Sequence, residues 1–373
     1  MKYYLIAGER SGDLHASNLM KAIQSKDPEA TFRFWGGDAM QQVGGTMVKH
    51  YRETAFMGIF TVIKNLRKIR GFMKACKQDI SEYAPDVVIL VDYAGFNLRI
   101  AKYAKQKGFP TFFYISPKVW AWNTKRAYKI KKIIDRMFVI FPFEKDFYKN
   151  FDYEVDYVGN PLLDAIANFT PNLNFRAKHH LDARPIVALL PGSRKQEVEK
   201  LLPLMLDSVK TLTGYQLVVA GVNNLPDHLY ETAKNNPTVH IIYENTYDLL
   251  TEAEVAIVTS GTATLETGLF KVPQVVVYKT NPITYAIAKR LIKTQFISLV
   301  NLVASKEVVK ELIQKECNPE NVAAELQKLL VGGSKRAQVS EDYQYLQDLM
   351  GDTGASHRAG TLMVQYLQEF KAP

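Results

Sequence analysis

The order of apolar and polar positions predicts an alternation of buried strands and amphipathic helices. Short runs that are apolar on both faces mark strands of a parallel sheet covered on each side. In the first half these are Tyr3–Ala7, Phe32–Trp35, Asp86–Val91, Thr111–Ile115 and Arg136–Ile140. Helical periodicity separates them: through Ile23, from Ala39, from Met57, on to about Gln106, and over Lys125–Ile134. The pattern changes around Tyr157–Leu162, and the polar stretch Asn168–Arg184 reads as a short helix and linker. A second series then begins, with strands Ile186–Leu190, Gln216–Ala220, Val239–Tyr243, Val255–Val258 and Gln274–Val277. From about Ser340 the chain is helical, with Leu346, Leu349 and Met350 at core-like spacing, a break at Gly351–Gly354 and a last helix through Phe370. Repeated βα units imply right-handed crossovers and doubly wound sheets. The expected fold class is therefore α/β, with two open parallel-sheet domains and an interdomain cleft. The expected boundaries are residues 1–165, residues 166–340, and a helical tail, 341–373, packing across domains or onto a partner subunit.

Composition narrows this picture without changing it. A chain of 373 residues, 47% hydrophobic and 23% charged, is long enough for two domains with proper cores. Lys+Arg exceed Asp+Glu by 47 to 38, a net charge of +9, which favours an anionic partner without choosing one. Cys76 and Cys317 lack zinc-type spacing, so inert thiols in a reducing compartment are the simplest account. The N-terminus enters a strand directly, and no apolar run is long enough to span a bilayer, so a cytoplasmic protein is expected.

Two strand-to-helix turns carry candidate chemistry. In Pro185–Glu199, strand Ile186–Leu190 reaches a Pro191-Gly192 turn, with Ser193 as N-cap of the next helix and Arg194 placed to hold an anion bidentately. In Ala256–Gly268, a strand enters Ser260-Gly261-Thr262 at the start of a helix, and Glu266 follows one turn later, placed to accept from ribose hydroxyls. Helix starts offer free N–H groups and partial positive charge, so both turns suit phosphate. Each taken singly is equally an ordinary capped turn; together they favour a nucleotide. Neither is a P-loop, and no Gly-x-Gly-x-x-Gly opens either domain.

The remaining motifs carry a resemblance. In order they are Ala7-Gly8-Glu9-x-Ser11-Gly12-Asp13, Met57-Gly58, Asp92-x-x-x-Phe96-Asn97 and Ser116-Pro117-x-Val119-Trp120-Ala121-Trp122. Phe141-Pro142-Phe143-Glu144, Leu190–Arg194, Ser260–Glu266, Ala288–Leu291 and Ser298-Leu299-x-Asn301-Leu302 follow. Together they resemble the lipid-A-disaccharide synthases, glycosyltransferase family 19, over nearly the whole chain. The resemblance implies a GT-B fold, two Rossmann-like domains with the nucleotide sugar held mainly by the second. It implies transfer from UDP-2,3-diacylglucosamine to 2,3-diacylglucosamine 1-phosphate (lipid X), with inversion, giving a β-1,6 disaccharide and UDP. It also implies a donor contact for Asn301 and an acceptor side built from Glu9, Ser11 and Trp120. The basic run Thr124–Lys132 adds Arg126 as a candidate for the acceptor's 1-phosphate, with an extended basic face or a plain solvated helix face as its alternatives. Asp92, at the carboxyl end of a central strand, is the expected base, and Arg194 the expected partner of the departing diphosphate. A capping Asp, a buried structural Asn and a core Trp are the plain alternatives. No cofactor or metal is expected, since GT-B enzymes typically need none and no Asp-x-Asp element stands out. Two positions depart from the family: Gly95 replaces a frequent second Asp, and Asn160 replaces a frequent His.

The helix expected from Met57 to Lys74 has an apolar stripe of Ile59, Val62, Ile63, Leu66, Ile69 and Met73, with Phe56, Phe60 and Phe72 beside it and Lys64, Arg67, Lys68, Arg70 and Lys74 around the rest. One-signed charge around such a stripe suits an anionic membrane surface. This gives a peripheral protein on the cytoplasmic face of the inner membrane, a possible homodimer through the tail, and no nucleic-acid partner. The competing readings are a UDP-sugar 2-epimerase of the same fold and a non-enzymatic peripheral nucleotide-binding protein.

Overall fold

The computed structural model describes residues 1–54, 66–291 and 294–371. They form two compact units: Met1–Ala167 with Asp352–Pro373, and Asn168–Gly351. The tail is thus shared between units, its helix Arg336–Met350 in the second and its helix Ala355–Lys371 in the first.

The first unit is built on strands β1 (Lys2–Ala7), β2 (Thr31–Gly36), β3 (Thr46–His50), β4 (Val87–Val91), β5 (Thr111–Tyr114), β6 (Arg136–Val139) and β7 (Asp156–Tyr157). All pair in parallel, in the order β3-β2-β1-β4-β5-β6-β7. Residues Val87 to Val91 are buried throughout, which is why the sequence shows an unbroken apolar run there. One face of the sheet carries Tyr3, Leu5, Ile89 and Phe112 into a core closed by helices Arg10–Lys26 and Ala355–Lys371. These two helices approach closely at Gly360, where a Cβ would lie 2.7 Å from the Ala22 Cβ. The opposite face carries Tyr4, Ile6, Val88 and Phe113 against helices Leu66–Tyr83 and Ala94–Gln106.

The second unit has strands β8 (Ile186–Leu190), β9 (Gln216–Gly221), β10 (Val239–Tyr243), β11 (Ala253–Thr259), β12 (Gln274–Tyr278) and β13 (Glu311–Ile313). They too are parallel, in the order β10-β9-β8-β11-β12-β13. In each sheet the strand order reverses once, between β1 and β4 and between β8 and β11. Loops leaving the carboxyl ends of strands diverge at such a point and open a crevice for a ligand.

Candidate functional site

In the first unit the segments after β1 and β4 flank the reversal: Glu9 and Ser11 stand at the start of helix Arg10–Lys26, and Asp92 in the turn after β4. Asp92 follows the last residue of β4, and its N–H donates to the Tyr114 carbonyl at 2.9 Å. Both Asp92 and Tyr93 adopt left-handed backbone, each with φ +46°, a strained choice for non-glycine residues. The buried Asn97 holds that turn: its amide donates to the Asp92 carbonyl at 2.8 Å and, more weakly, to those of Val91 and Ile6 at 3.3 Å. The Asp92 side chain is open to solvent yet crowded by protein. Crowding raises its carboxyl above the ordinary carboxylate range, while Lys118 and the Tyr93 N–H pull it down. Tyr93 packs over the loop after β1, where a Cβ on Gly8 would fall 2.2 Å from its ring. Glu9 lies near enough to raise the Tyr93 hydroxyl in addition to burial. Ser11 is exposed in the first turn of helix Arg10–Lys26.

Asp13, which closes the same motif, is buried and serves the fold. It accepts from the N–H groups of Gly37 at 2.7 Å, Ala39 at 3.0 Å and Met40 at 3.2 Å, stapling the start of helix Asp38–Val43 to helix Arg10–Lys26.

Trp120, expected on the acceptor side, is instead a buried residue, 7% exposed. Its indole N–H donates to Glu144 Oε1 at 3.2 Å, and the Ser116 hydroxyl donates to the same oxygen. The other Glu144 oxygen accepts from the N–H groups of Ile140 at 3.1 Å and Phe141 at 3.0 Å. A carboxylate 1% exposed needs such donors, and they make two sequence motifs into one network. Arg126 is half-buried at the end of the 3-10 turn Thr124–Arg126, followed by exposed Lys129, Lys131 and Lys132.

Of the residues assigned to the membrane, Ile59, Phe60, Ile63 and Lys64 lie outside the described residues. Arg67 and Lys68 are exposed on helix Leu66–Tyr83. Phe72 of that helix turns inward against Trp35, with ring centroids 6.4 Å apart, so this part of the stripe packs on the sheet rather than facing out. Among the described residues no helix is long and apolar enough to cross a membrane.

In the second unit both anion turns lie at the reversal, after β8 and after β11. The backbone of Gly192 is closely covered: a Cβ there would sit 2.4 Å from Glu197 Oε2 and 3.0 Å from Cγ2 of Thr259, the last residue of β11. The φ of Gly192, +108°, also excludes a side chain. The helix begins later than expected. Arg194, not Ser193, is the N-cap of Lys195–Val209, because the left-handed Gly192 carries Ser193 out into the exposed loop. Glu197 folds back on this start, accepting from the Arg194 N–H at 3.3 Å and pairing with its guanidinium at 2.9 Å. Arg194 is otherwise open, with a side chain 75% exposed.

Ser260 donates its hydroxyl to the Ile297 carbonyl at 2.9 Å, which leaves Gly261 and Thr262 exposed at the start of helix Thr262–Leu269. Glu266 is half-buried, accepts from the Tyr247 hydroxyl at 3.1 Å, and is raised by burial. Tyr247 belongs to an aromatic cluster with Phe169 and Phe270, its ring 5.4 Å and 5.0 Å from theirs. Sequence reasoning missed Tyr247, since only the fold brings helix Thr246–Glu252 against Glu266. Asn301, expected at the donor, is fully buried and structurally committed. Its amide donates to the Val309 carbonyl and to Glu311, both at 2.9 Å, and its oxygen accepts from Val308 at 2.8 Å and Val309 at 2.9 Å.

Residues 3–363 match the family model described as lipid-A-disaccharide synthetase. The chain is 39% identical over 373 residues to the lipid-A-disaccharide synthase of Syntrophus aciditrophicus (strain SB), covering 98% of this chain and 97% of that one. It is 36% identical to that of Myxococcus xanthus (strain DK1622), covering 97% of each. Among solved structures it resembles a UDP-GlcNAc 2-epimerase from Neisseria meningitidis bound to UDP-GlcNAc (TM-score 0.69, 12% identity, 99% of this chain and 100% of that one). It also resembles the glycotransferase of kitacinnamycin (TM-score 0.66, 14% identity, 98% of this chain and 99% of that one). Those two likenesses bear on fold alone, and the fold is GT-B. Reached from both the motifs and the relatives, the conclusion is that this chain belongs to the lipid-A-disaccharide synthase family and is a glycosyltransferase of lipid A biosynthesis.

Proposed function

We propose that the enzyme joins UDP-2,3-diacylglucosamine to lipid X with inversion at the donor anomeric carbon. The acceptor 6-hydroxyl oxygen forms the new bond to that carbon, the bond to the diphosphate breaks, and its electron pair leaves with UDP. Asp92 takes the hydroxyl proton, a task suited to a crowded carboxylate whose affinity for protons is raised. The turn Gly192–Arg194 and the helix start Ser260–Thr262 receive the diphosphate, with Arg194 exchanging Glu197 for the charge that grows as UDP departs. Glu266, oriented by Tyr247, meets the ribose. Glu9, Ser11 and Arg126 serve the acceptor. The segment carrying Ile59, Phe60, Ile63, Lys64, Arg67 and Lys68 rests on the anionic cytoplasmic face of the inner membrane, where diacylated substrates reside.

The supporting observation is that two anion turns leave the neighbouring strands β8 and β11 at one switch point in the second sheet, while Asp92 occupies the switch point of the first. The test is UDP release from UDP-2,3-diacylglucosamine, which should require lipid X and should vanish in Asp92→Asn. Turnover that persists in this variant would remove Asp92 as base. Release without lipid X would reduce the reaction to hydrolysis.

A further inference from the structure

Lys118 has no evident structural use. It sits inside the Ser116–Trp122 motif, is exposed, and makes no ion pair among the described residues. Yet the chain on both sides of it is fixed. Two residues before it, Ser116 is bound to Glu144; two residues after it, Trp120 is bound to the same carboxylate oxygen. Backbone bonds tighten the segment further, from Val119 N–H to the Pro117 carbonyl at 2.6 Å and from Ala121 N–H to the Lys118 carbonyl at 3.2 Å. The loop leaves β5, which pairs with β4, and β5 supplies the carbonyl that receives the Asp92 N–H at 2.9 Å. The loop that leaves the strand next to β4 is therefore clamped on both sides of an exposed lysine.

We propose that Lys118 is the counter-charge of Asp92, holding it ionised for catalysis, and that the buried Glu144 is the positioning residue that keeps Lys118 in place. This rests on the assignment of Asp92 as base. Other groups around this corner are Glu9, on the loop after β1, with Tyr93 between it and Asp92. Gly95, on the same turn as Asp92, brings no charge. Lys118 is the cation that opposes the effect of crowding on the carboxyl. An ammonium there favours the carboxylate over the acid, so the base stays ready to lower pH. The Glu144 clamp matters because an exposed lysine on a free loop is screened and wanders.

The test is the pH profile of kcat/KM for wild type, Lys118→Met, Lys118→Arg and Glu144→Gln, with melting curves to confirm folding. Without Lys118 the carboxylate protonates at higher pH, so the acidic limb of Lys118→Met moves up. On that limb each unit of displacement is about a tenfold loss, which disappears on the plateau. Lys118→Arg restores the limb. In Glu144→Gln an amide N–H faces two backbone N–H groups, the clamp opens, and the limb moves the same way with Lys118 still present. A purely structural Glu144 would lower activity equally at every pH. An unmoved limb in Lys118→Met overturns the proposal, including the case in which only the KM for the acceptor rises and Lys118 proves a substrate contact. Failure of the underlying assignment reads differently, because Asp92→Asn would then keep its turnover.

Discussion

Asn301 shows how a residue can match a functional motif and still be occupied by the fold. Four bonds use its amide and its carbonyl, and Glu311 next to it also receives the Ser298 hydroxyl at 2.7 Å and the Ile297 N–H at 2.9 Å. Removing the side chain would strand the Val309 N–H and carbonyl and part of a carboxylate, and would leave the Val308 N–H only the Lys306 carbonyl at 3.0 Å. Asn301→Ala should therefore destabilise by about 2–4 kcal/mol, measured as a lower urea midpoint, with UDP-sugar affinity retained in the folded fraction. Unchanged stability with lost donor affinity would return Asn301 to the donor site. The motif was legible in the sequence, but its role was not, because Val308, Val309 and Glu311 meet Asn301 only after folding. Trp120 repeats the lesson. Its partner Glu144 lies 24 residues away, in a different motif. Asp92 was easier, since the carboxyl end of an all-apolar strand fixes where a residue stands before any contact is known.

Among the elements, central strands were legible because burial on both faces leaves a continuous apolar run. Ile186–Leu190 falls where the pattern put it, and β1, β9 and β12 differ by one residue at an end. The half-buried edge strand Val239–Tyr243 was found as well, from its β-branched and aromatic residues. Strands β3, β7 and β13 were missed, and all three are edges of their sheets. Half-buried edge residues such as Thr46–His50 show no such run. The turns at the switch point separate two kinds of glycine. Gly192 has φ +108° and would meet Glu197 and Thr259, so Gly192→Ala should distort the turn and weaken UDP binding together with stability. Gly261 has extended backbone, φ 168°, and open space around it, so Gly261→Ala should leave the melting temperature unchanged. If the diphosphate rests on this backbone, calorimetry will still find UDP bound more weakly by Gly261→Ala. Undiminished affinity in both variants would separate these turns from the donor.

At the scale of the whole chain, the first unit is completed by residues that come last. Helix Ala355–Lys371 buries Ala359, Met363, Val364 and Leu367 in the same core as Leu19, Met20 and Ile23. Arg358 fixes it by donating to the Val158 carbonyl at 2.8 Å, and Asp164 accepts from the N–H groups of Gly354 and Ser356 at its start. Composition could not reveal this, since an apolar stripe at helical spacing does not name the face that receives it. The same unit holds His15, half-buried on helix Arg10–Lys26. Burial lowers its pKa from 6.5 to about 4, against the opposing pull of Asp164. In the unfolded chain His15 takes its proton near the ordinary value, whereas in the folded unit it must wait for much more acid. Between those values the unfolded state binds more protons, so His15 adds stability that is full above about pH 6.5 and is lost as pH falls toward 4. The loss is at most about 3 kcal/mol. Urea unfolding at neutral and acid pH should show a steeper fall for wild type than for His15→Gln, which has no proton to take. Comparing the two pH dependences cancels the raised carboxyls of Asp92 and Glu144, whose contributions run the opposite way with pH. Parallel curves would mean that His15 stays in water in the folded unit, and the burial assigned to it would be wrong.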